Sequence, residues 1–337
     1  MMLERGSASA PEVLDLPVID LGAYLAGDEG ATAAAAAALR EALEQLGFVA
    51  VVNHGVPREK IAAVFSQARR FHELPLDDKL RVRFAESYAG YLPSAAYSIK
   101  TSTINENDRP DLNEAFFVER EAPPADADPA EAAGYECPNQ WPEDLTGFRE
   151  TVLDYYATVE AFAHRLLPLY ALDLDPDYFG AAFRWPQASL RLSHYPPLRR
   201  EANQFGIAPH TDASFLTVLA THGAPGLHIR TPEGEWRVAP EVADGFIVNS
   251  GDMLRRWSND RLLSTQHMAV NDSAAERYAA AFFFSPNLDH EISCLPSCRG
   301  AGEAAKHPPV TYREYRRWFM DSNYRSGVDA TETETPP

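Results

Sequence analysis

At 337 residues, with 45% hydrophobic side chains and no continuous apolar run near the length of a membrane span, the chain reads as a soluble protein able to bury a sizeable core. Thirty Lys and Arg against 49 Asp and Glu give a formal net charge of −19, which argues against a nucleic-acid partner because holding phosphates takes concentrated cations. The same charge repels anionic ligands at long range, so any such ligand has to be captured by local positive charge.

In chain order, residues 1–12 read as loose, and residues 1–9 lack the apolar stretch of a secretory signal, so the expected setting is the cytoplasm. A strand-like segment at 17–21 precedes an amphipathic helix over 31–46, where an alanine run leads into Leu39, Leu43 and Leu46. A strand at 48–53 follows, then a helix from Pro57 to about 71 with Arg58 and Glu59 in its first turn. The stretch 87–120 mixes Tyr, Ser, Asn and Pro without a clear period, and 123–129, rich in Pro, Ala and Asp, reads as a surface loop. A long helix over 145–172 carries Val152, Tyr155, Tyr156, Val159, Phe162, Leu166 and Leu169 on one stripe, suited to packing against a sheet.

From 189 to 292 short strands dominate, separated by turns such as Pro232-Glu233-Gly234 and Asp244-Gly245. A helix at 312–319 and a polar, disordered stretch at 331–337 close the chain. The expected class is α+β, mainly β: a jelly-roll, or double-stranded β-helix, core with flanking helices and one long supporting helix. Cys137, Cys294 and Cys298 are an odd number without metal-type spacing, which fits free thiols in a reducing compartment rather than disulfides or a zinc site.

Three residues carry chemistry. His210 and Asp212 lie two apart in Pro209-His210-Thr211-Asp212-Ala213-Ser214-Phe215-Leu216-Thr217-Val218-Leu219, whose alternation reads as one strand, so both would project to one side with Thr211 facing away. His267 follows 55 positions after Asp212, room for several strands to return alongside. Two imidazoles and a carboxylate make the facial set that leaves coordination positions open on a non-haem iron. With ten histidines in the chain, His-x-Asp alone is weak, and the weight comes from its surroundings.

Those surroundings read Asn249-Ser250-Gly251-Asp252-Met253-Leu254-Arg255-Arg256-Trp257-Ser258-Asn259, then Ser264-Thr265-Gln266-His267, then Arg277 ten residues on. Here the chain resembles the isopenicillin N synthase-like family of Fe(II)/2-oxoglutarate-dependent dioxygenases. That family is marked by His-x-Asp, a Gly-Asp-x-Leu-x-x-Trp-[Ser/Thr]-Asn stretch, a distal His and Arg-x-Ser. Leu16-Pro17-Val18-Ile19-Asp20-Leu21, Gly47-Phe48-Val49-Ala50-Val51-Val52-Asn53-His54-Gly55-Val56-Pro57 and Arg191-Leu192-Ser193-His194-Tyr195-Pro196-Pro197 resemble further family segments. The resemblance divides the chain into an N-terminal dioxygenase region (1–120), a linker loop and supporting helix (121–180), a catalytic jelly roll (181–300) and a C-terminal helix and tail (301–337), one integrated unit.

The resemblance implies that His210, Asp212 and His267 hold Fe(II), and that Arg277 clamps the distal carboxylate of the cosubstrate 2-oxoglutarate, a two-pronged match that lysine cannot copy. The apolar run after Arg277 leaves that arginine in need of a buried anionic partner. Where the family has serine two residues after the arginine, this chain has Ala279, a loss of about 1.5–3 kcal/mol if nothing replaces the hydroxyl. Tyr195 matches a family tyrosine that also contacts this carboxylate, and Ser193 stands where many relatives have Asn near its metal-bound end. Gly251 and Asp252 read as a turn and Trp257 as a support for the sheet; His54 reads as structural, and His222, His228, His290 and His307 as exposed.

The implied reaction spends O2 and 2-oxoglutarate on a substrate C–H bond, with hydroxylation, desaturation or ring closure as outcomes. Ala279 keeps open a same-fold Fe(II) oxidase that does not use 2-oxoglutarate. A non-catalytic binding module predicts a broken triad, and a zinc hydrolase lacks an evident carboxylate base. Alternation from Asp212 and Arg277 puts Leu216, Ala281 and Phe283 beside the site, and the stretch 87–120, where the resemblance implies a loop covering the active site, adds Phe117 and Arg109. Lys100 or Arg109 holding a substrate carboxylate stands beside the plainer reading of both as loop charges. Alanines at 279 and 281 widen that wall for a bulky or ring-containing small molecule. No nucleic acid or membrane is expected as partner, and the chain reads as a monomer or weak homo-oligomer. The Ala/Arg/Asp-heavy composition resembles that of high-GC bacteria, where such enzymes tailor specialised metabolites.

Overall fold

A computed structural model describes residues 12–84, 87–122, 138–171, 178–300, 302–324 and 337. The readings made on residues 1–9, on the 123–129 loop, on Cys137 and on the stretch from 331 to 336 lie outside the described residues.

Fourteen strands are described: β1 (Val18–Asp20), β2 (Phe48–Val52), β3 (Gly90–Leu92), β4 (Glu114–Glu119), β5 (Gln187–Tyr195), β6 (Ile207–His210), β7 (Leu216–Gly223), β8 (Leu227–Arg230), β9 (Trp236–Val238), β10 (Phe246–Ser250), β11 (His267–Ala269), β12 (Arg277–Ser285), β13 (Glu291–Ile292) and β14 (Val310–Thr311). Eight form one sheet in the order β1-β2-β10-β7-β12-β5-β4-β3, four form a second in the order β6-β11-β8-β9, and β13 and β14 pair alone. The pairing is antiparallel except between β1 and β2. This is a jelly roll whose larger sheet takes in strands from the N-terminal region.

The two faces of the large sheet bury different things. Its outer face carries Val49 and Val51, Phe116 and Val118, Leu190 and Leu192, Val218, Val248, Phe282 and Phe284. These pack in one core with the helices Ala31–Gln45, Arg58–His72 and Phe148–Leu166. The helix Phe148–Leu166 buries Phe148, Val152, Tyr155, Tyr156, Val159, Phe162 and Leu166, a helical-period stripe, and Tyr156 donates to the Ala188 carbonyl at 2.7 Å. It stops short of the expected 172: Leu167–Tyr170 is a 3-10 turn, because Pro168 offers no N–H for another helical bond.

The inner face meets the small sheet in two apolar clusters. One joins Ala115, Phe117, Tyr195 and Ala279 to Ile207, Ala208 and Ala269; the other joins Phe48, Ala50 and Ile247 to Leu227 and Ile229. The polar residues of the site lie between these two clusters. The stretch 87–120, read as aperiodic, contains β3 and β4; all six residues of β4 are buried, which erases the alternation that marks a half-exposed strand. Of the four histidines read as exposed, His222 is, whereas His228, His290 and His307 are half-buried; His290 packs on Trp257 and His307 contacts Asp260 at 2.7 Å.

On the outer side, Glu114 organises a buried charged cluster. Its carboxylate accepts from Lys79 Nζ at 2.7 Å and from the Tyr91 hydroxyl, pairs with His194 Nδ1 at 2.8 Å and lies 3.4 Å from His72 Nδ1. Burial pushes the carboxyl up, but His194, His72 and Lys79 outweigh it and hold it far below the usual range. A depressed folded pKa stabilises the protein above the unfolded value and is lost as pH falls. Glu114→Gln is therefore expected to cost about 3–5 kcal/mol at pH 7 by urea unfolding, since it strands a buried Lys79. The gap to wild type should narrow below about pH 4, where the unfolded-chain carboxylate begins to protonate; a gap independent of pH would contradict this account.

Candidate metal centre

His210 ends β6, His267 begins β11 directly opposite it, and Asp212 lies in the connection between β6 and β7. The expectation of one strand through 209–219 therefore fails. The chain leaves the small sheet after His210 and enters the large one at Leu216, because the intervening carbonyls accept from elsewhere. Asp252 N–H donates to the Asp212 carbonyl at 2.8 Å, Met253 N–H to that of Ser214 and Gly251 N–H to that of Phe215. A Cβ on Gly251 would lie 2.1 Å from the Ser214 oxygen, so only glycine lets β10 end this close. What read as a turn at Gly251-Asp252 begins the short helix Asp252–Trp257, and Trp257 packs edge-on against Phe215. The Asp252 carboxylate also accepts from the Thr211 hydroxyl at 3.1 Å and the Tyr315 hydroxyl at 2.8 Å.

The donor atoms of His210, Asp212 and His267 lie within 4.8 Å of one another, and all three residues are buried. His210 Nδ1 is 2.8 Å from the Ala208 carbonyl and His267 Nδ1 is 3.1 Å from that of Thr265. A carbonyl only accepts, so each Nδ1 carries the proton and each Nε2 is left with a lone pair. These Nε2 atoms face Asp212 Oδ1 at 3.8 and 3.6 Å. The other carboxylate oxygen, Oδ2, accepts from Thr217 at 2.6 Å and Asn249 at 2.8 Å. Three lone pairs thus converge with no proton between them, an arrangement that asks for a cation. Burial and the neighbouring His267 push His210 down to about 3, so it stays neutral at physiological pH. Burial alone would raise the Asp212 carboxyl, but it is held below its usual value, the bonds from Thr217 and Asn249 to Oδ2 favouring the charged form.

The other grouping of metal-binding residue types, His72, Glu114 and His194, differs in this respect. There the Lys79 ammonium already occupies the carboxylate, which repels a second cation.

Beside the triad a cavity of about 60 Å³ is bounded by Tyr195, Ser193, Arg277, Ala279, Ala281 and Phe283 among others. Arg277 is 2% exposed, and its guanidinium carbon lies 4.4 Å from the Tyr195 ring centroid. Its Nε and Nη1 have no hydrogen-bond partner among the described residues. A buried guanidinium in this state is suited to a ligand carboxylate. Gly226 makes room for it: a Cβ there would lie 3.0 Å from Arg277 Nε and 2.1 Å from the Val270 carbonyl. Ala279 pairs across the ladder with Ser193, which brings a hydroxyl-bearing residue to the same face.

A second compartment of about 60 Å³ shares His210, Asp212, Arg191 and Phe283 with the first and adds Phe117 together with Tyr312, Arg316, Phe319, Met320 and Tyr324. Those last five residues belong to the helix Tyr312–Tyr324, longer than the expected 312–319 and not read as part of the site. Their helical spacing was the available signal. Two substrate-side expectations do not hold. Leu216 is fully buried in the outer core, because Asp212 lies outside the strand and cannot set its parity; Thr217 and Leu219 face the cavity instead. Arg109 is on the surface with Glu201, and Lys100 Nζ donates to the Asn107 carbonyl at 2.7 Å. Arg191 was missed, although its parity with Ser193 and Tyr195 on β5 marks it as inward-facing.

A jelly roll that sets two imidazoles and a carboxylate beside a buried, unmatched guanidinium is suited to hold a metal ion next to an anionic ligand, the arrangement of non-haem oxygenases. Residues 16–144 match the family described as non-haem dioxygenase in morphine synthesis N-terminal, and residues 186–286 match the 2OG-Fe(II) oxygenase superfamily. The 2-oxoglutarate-Fe(II) type oxidoreductase hxnY of Emericella nidulans is 32% identical over 91% of this chain and 90% of its own. Kihadalactone A synthase LFS of Citrus sinensis is 32% identical over 83% of this chain and 85% of its own. Among solved structures, a full-length Neurospora crassa protein in complex with alpha-KG and thymine superposes with a TM-score of 0.79 at 25% identity, covering 93% of this chain and 97% of that one. The chain belongs to the isopenicillin N synthase-like family of Fe(II)/2-oxoglutarate-dependent dioxygenases. It is an oxidoreductase of the kind that uses Fe(II), 2-oxoglutarate and O2. No helix among the described residues is long and apolar enough to cross a membrane.

The bonds to Asp212 Oδ2 generate a prediction. Removing an outer hydrogen-bond partner of a metal ligand commonly costs 10–100-fold in affinity. Thr217→Val should weaken Fe(II) binding by about that factor in anaerobic competition with a chelator, and His267→Ala by more. Equal affinities in wild type and both variants would remove the triad from consideration.

Proposed function

We propose that this enzyme oxidises an unactivated C–H bond of a small organic molecule, with His210, Asp212 and His267 as the Fe(II) ligands and Arg277 as the anchor of 2-oxoglutarate. Hydroxylation, desaturation and ring closure are the outcomes open to it, and tailoring of specialised metabolites is the setting we favour. The observation that carries this reading is the pairing of three converging lone pairs with a buried guanidinium that lacks an anionic partner. Relatives named for kihadalactone A and solved with thymine support a small-molecule substrate.

When bound, the metal and cosubstrate supply the oxidising power, 2-oxoglutarate leaving as succinate and CO2. The chain's own work is positional. Ala208 and Thr265 hold the imidazole protons on Nδ1 so that each Nε2 faces the centre. Thr217 and Asn249 hold Asp212 to a single free oxygen. Arg277, braced by the face of Tyr195, fixes the far end of the cosubstrate, and the small side chains of Ala279 and Ala281 leave it space. Phe283 and Phe117 line the apolar wall and exclude water.

Anaerobic titration of the Fe(II)-loaded protein with 2-oxoglutarate tests this reading. We expect a visible charge-transfer band that saturates, and in Arg277→Met a midpoint raised at least tenfold, about 1.4 kcal/mol or more. Bound iron without a band at any cosubstrate concentration would overturn the assignment.

A further inference from the structure

Arg191 presents the same unresolved charge as Arg277, four residues along β5 from Tyr195, the ladder partner of Arg277. It is 4% exposed in the middle of β5 and lines both compartments of the cavity. Its guanidinium is bonded by neutral groups. Nη2 donates to the Tyr97 hydroxyl and to Asn113 Oδ1 at 2.7 Å, Nη1 lies 3.3 Å from the Tyr324 hydroxyl, and Nε has no partner. The rings of Phe117 and Tyr97 lie 5.1 and 5.7 Å from its carbon. Among the described residues no carboxylate is within ion-pair distance of it. Arg316, in the same compartment, is by contrast matched by Glu119 at 3.0 Å. Asp111, a buried carboxyl of the same region, accepts from Ala208 N–H at 3.0 Å, and burial pushes it up to about 8, so it is largely protonated at neutral pH.

A buried cation without a counter-charge is costly and is kept where a ligand completes it. Fe(II), Asp212, the 2-oxoglutarate dianion and Arg277 together sum to zero charge, so the surplus in the loaded site is the single positive charge of Arg191. We propose that Arg191 is the substrate anchor, and that the substrate is a carboxylate attached to an apolar or aromatic body. This rests on the oxygenase reading above. Tyr97, Asn113 and Tyr324 hold the guanidinium plane in place, and Phe117, Phe319 and Met320 supply the apolar wall for the body. A planar two-pronged match selects a carboxylate over its amide. The anchored group also fixes which C–H bond faces the metal.

The test uses the anaerobic Fe(II)·2-oxoglutarate protein and a fixed panel: benzoate, phenylacetate and 3-phenylpropionate, each against its primary amide, with phenyl phosphate beside them. Binding is read by tryptophan fluorescence and by perturbation of the charge-transfer band. At least one carboxylate should bind wild type tenfold or more tightly than its amide. Arg191→Met should bring that ratio within twofold, Arg191→Lys should keep a preference, and the 2-oxoglutarate midpoint should move less than twofold in both. A merely structural arginine would lower carboxylate and amide binding together. A wild-type panel with no carboxylate preference overturns the proposal without any variant, as does an Arg191→Met protein that retains the preference. Phenyl phosphate binding ahead of every carboxylate overturns the carboxylate assignment. A missing charge-transfer band in wild type is a different failure, that of the cosubstrate reading itself.

Discussion

The alternation of β12, held in register on both edges, is the constraint on which the site depends. From Arg277 to Ser285 every residue is paired with β5, and from Arg277 to Phe284 with β7, so the strand has no freedom to slip. A slip of one residue would exchange its faces. As it stands, Tyr278, Ala280, Phe282 and Phe284 enter the outer core, while Arg277, Ala279, Ala281 and Phe283 line the cavity beside His210, Asp212 and His267. The outer aromatic residues thus drive Arg277 inward: with Phe282 and Phe284 buried against the helices, the alternation leaves the guanidinium on the inner face, 2% exposed. Folding energy gained on one face is spent holding an unmatched charge on the other.

The arginines and carboxylates of this molecule differ chiefly in whether the chain itself completes them. Glu114 is saturated by Lys79, Tyr91 and His194, and Glu119 is matched by Arg316 and Gln187. Such groups are complete without a ligand and act as structure. Asp212 has one oxygen tied and one facing two deprotonated nitrogens, and Arg277 and Arg191 lack any carboxylate among the described residues. Burial alone does not separate the two kinds, since Glu119 and Arg277 are each 2% exposed. The position of protons and counter-charges does.

How much of this was legible in the sequence follows the same line. The jelly roll, the outer-core helices and the triad were readable, because hydrophobic period and motif spacing are local properties. The strand content of β4 was not, because a doubly buried strand loses its alternation. The location of Asp212 outside a strand was not, because the bonds that pull it out come from Gly251, Asp252 and Met253, almost forty residues on in the chain. That single displacement reverses the parity of β7 and turns Leu216 away from the site. The role of the helix Tyr312–Tyr324 as a wall of the second compartment depends on how the chain end folds back over the sheet, which no local pattern encodes.

The departure at Ala279 is intelligible from the strand ladder. In an antiparallel pair, residues directly opposite share a face with their Cβ atoms about 5 Å apart. Ser193 is the partner of Ala279 on β5 and borders the same cavity, so a hydroxyl-bearing residue stays on that face although it has crossed to the neighbouring strand. Tyr195, the partner of Arg277, contributes its ring to the guanidinium at the next inward position. The inward residues of β5, Arg191, Ser193 and Tyr195, therefore form a row of polar groups beside the largely apolar inward row of β12. A cosubstrate carboxylate at Arg277 and an anionic substrate at Arg191 would lie at opposite ends of that row, four residues or roughly 13 Å of strand apart. Two like-charged ligands could then share the cavity, because each would bring its charge to a separate buried cation.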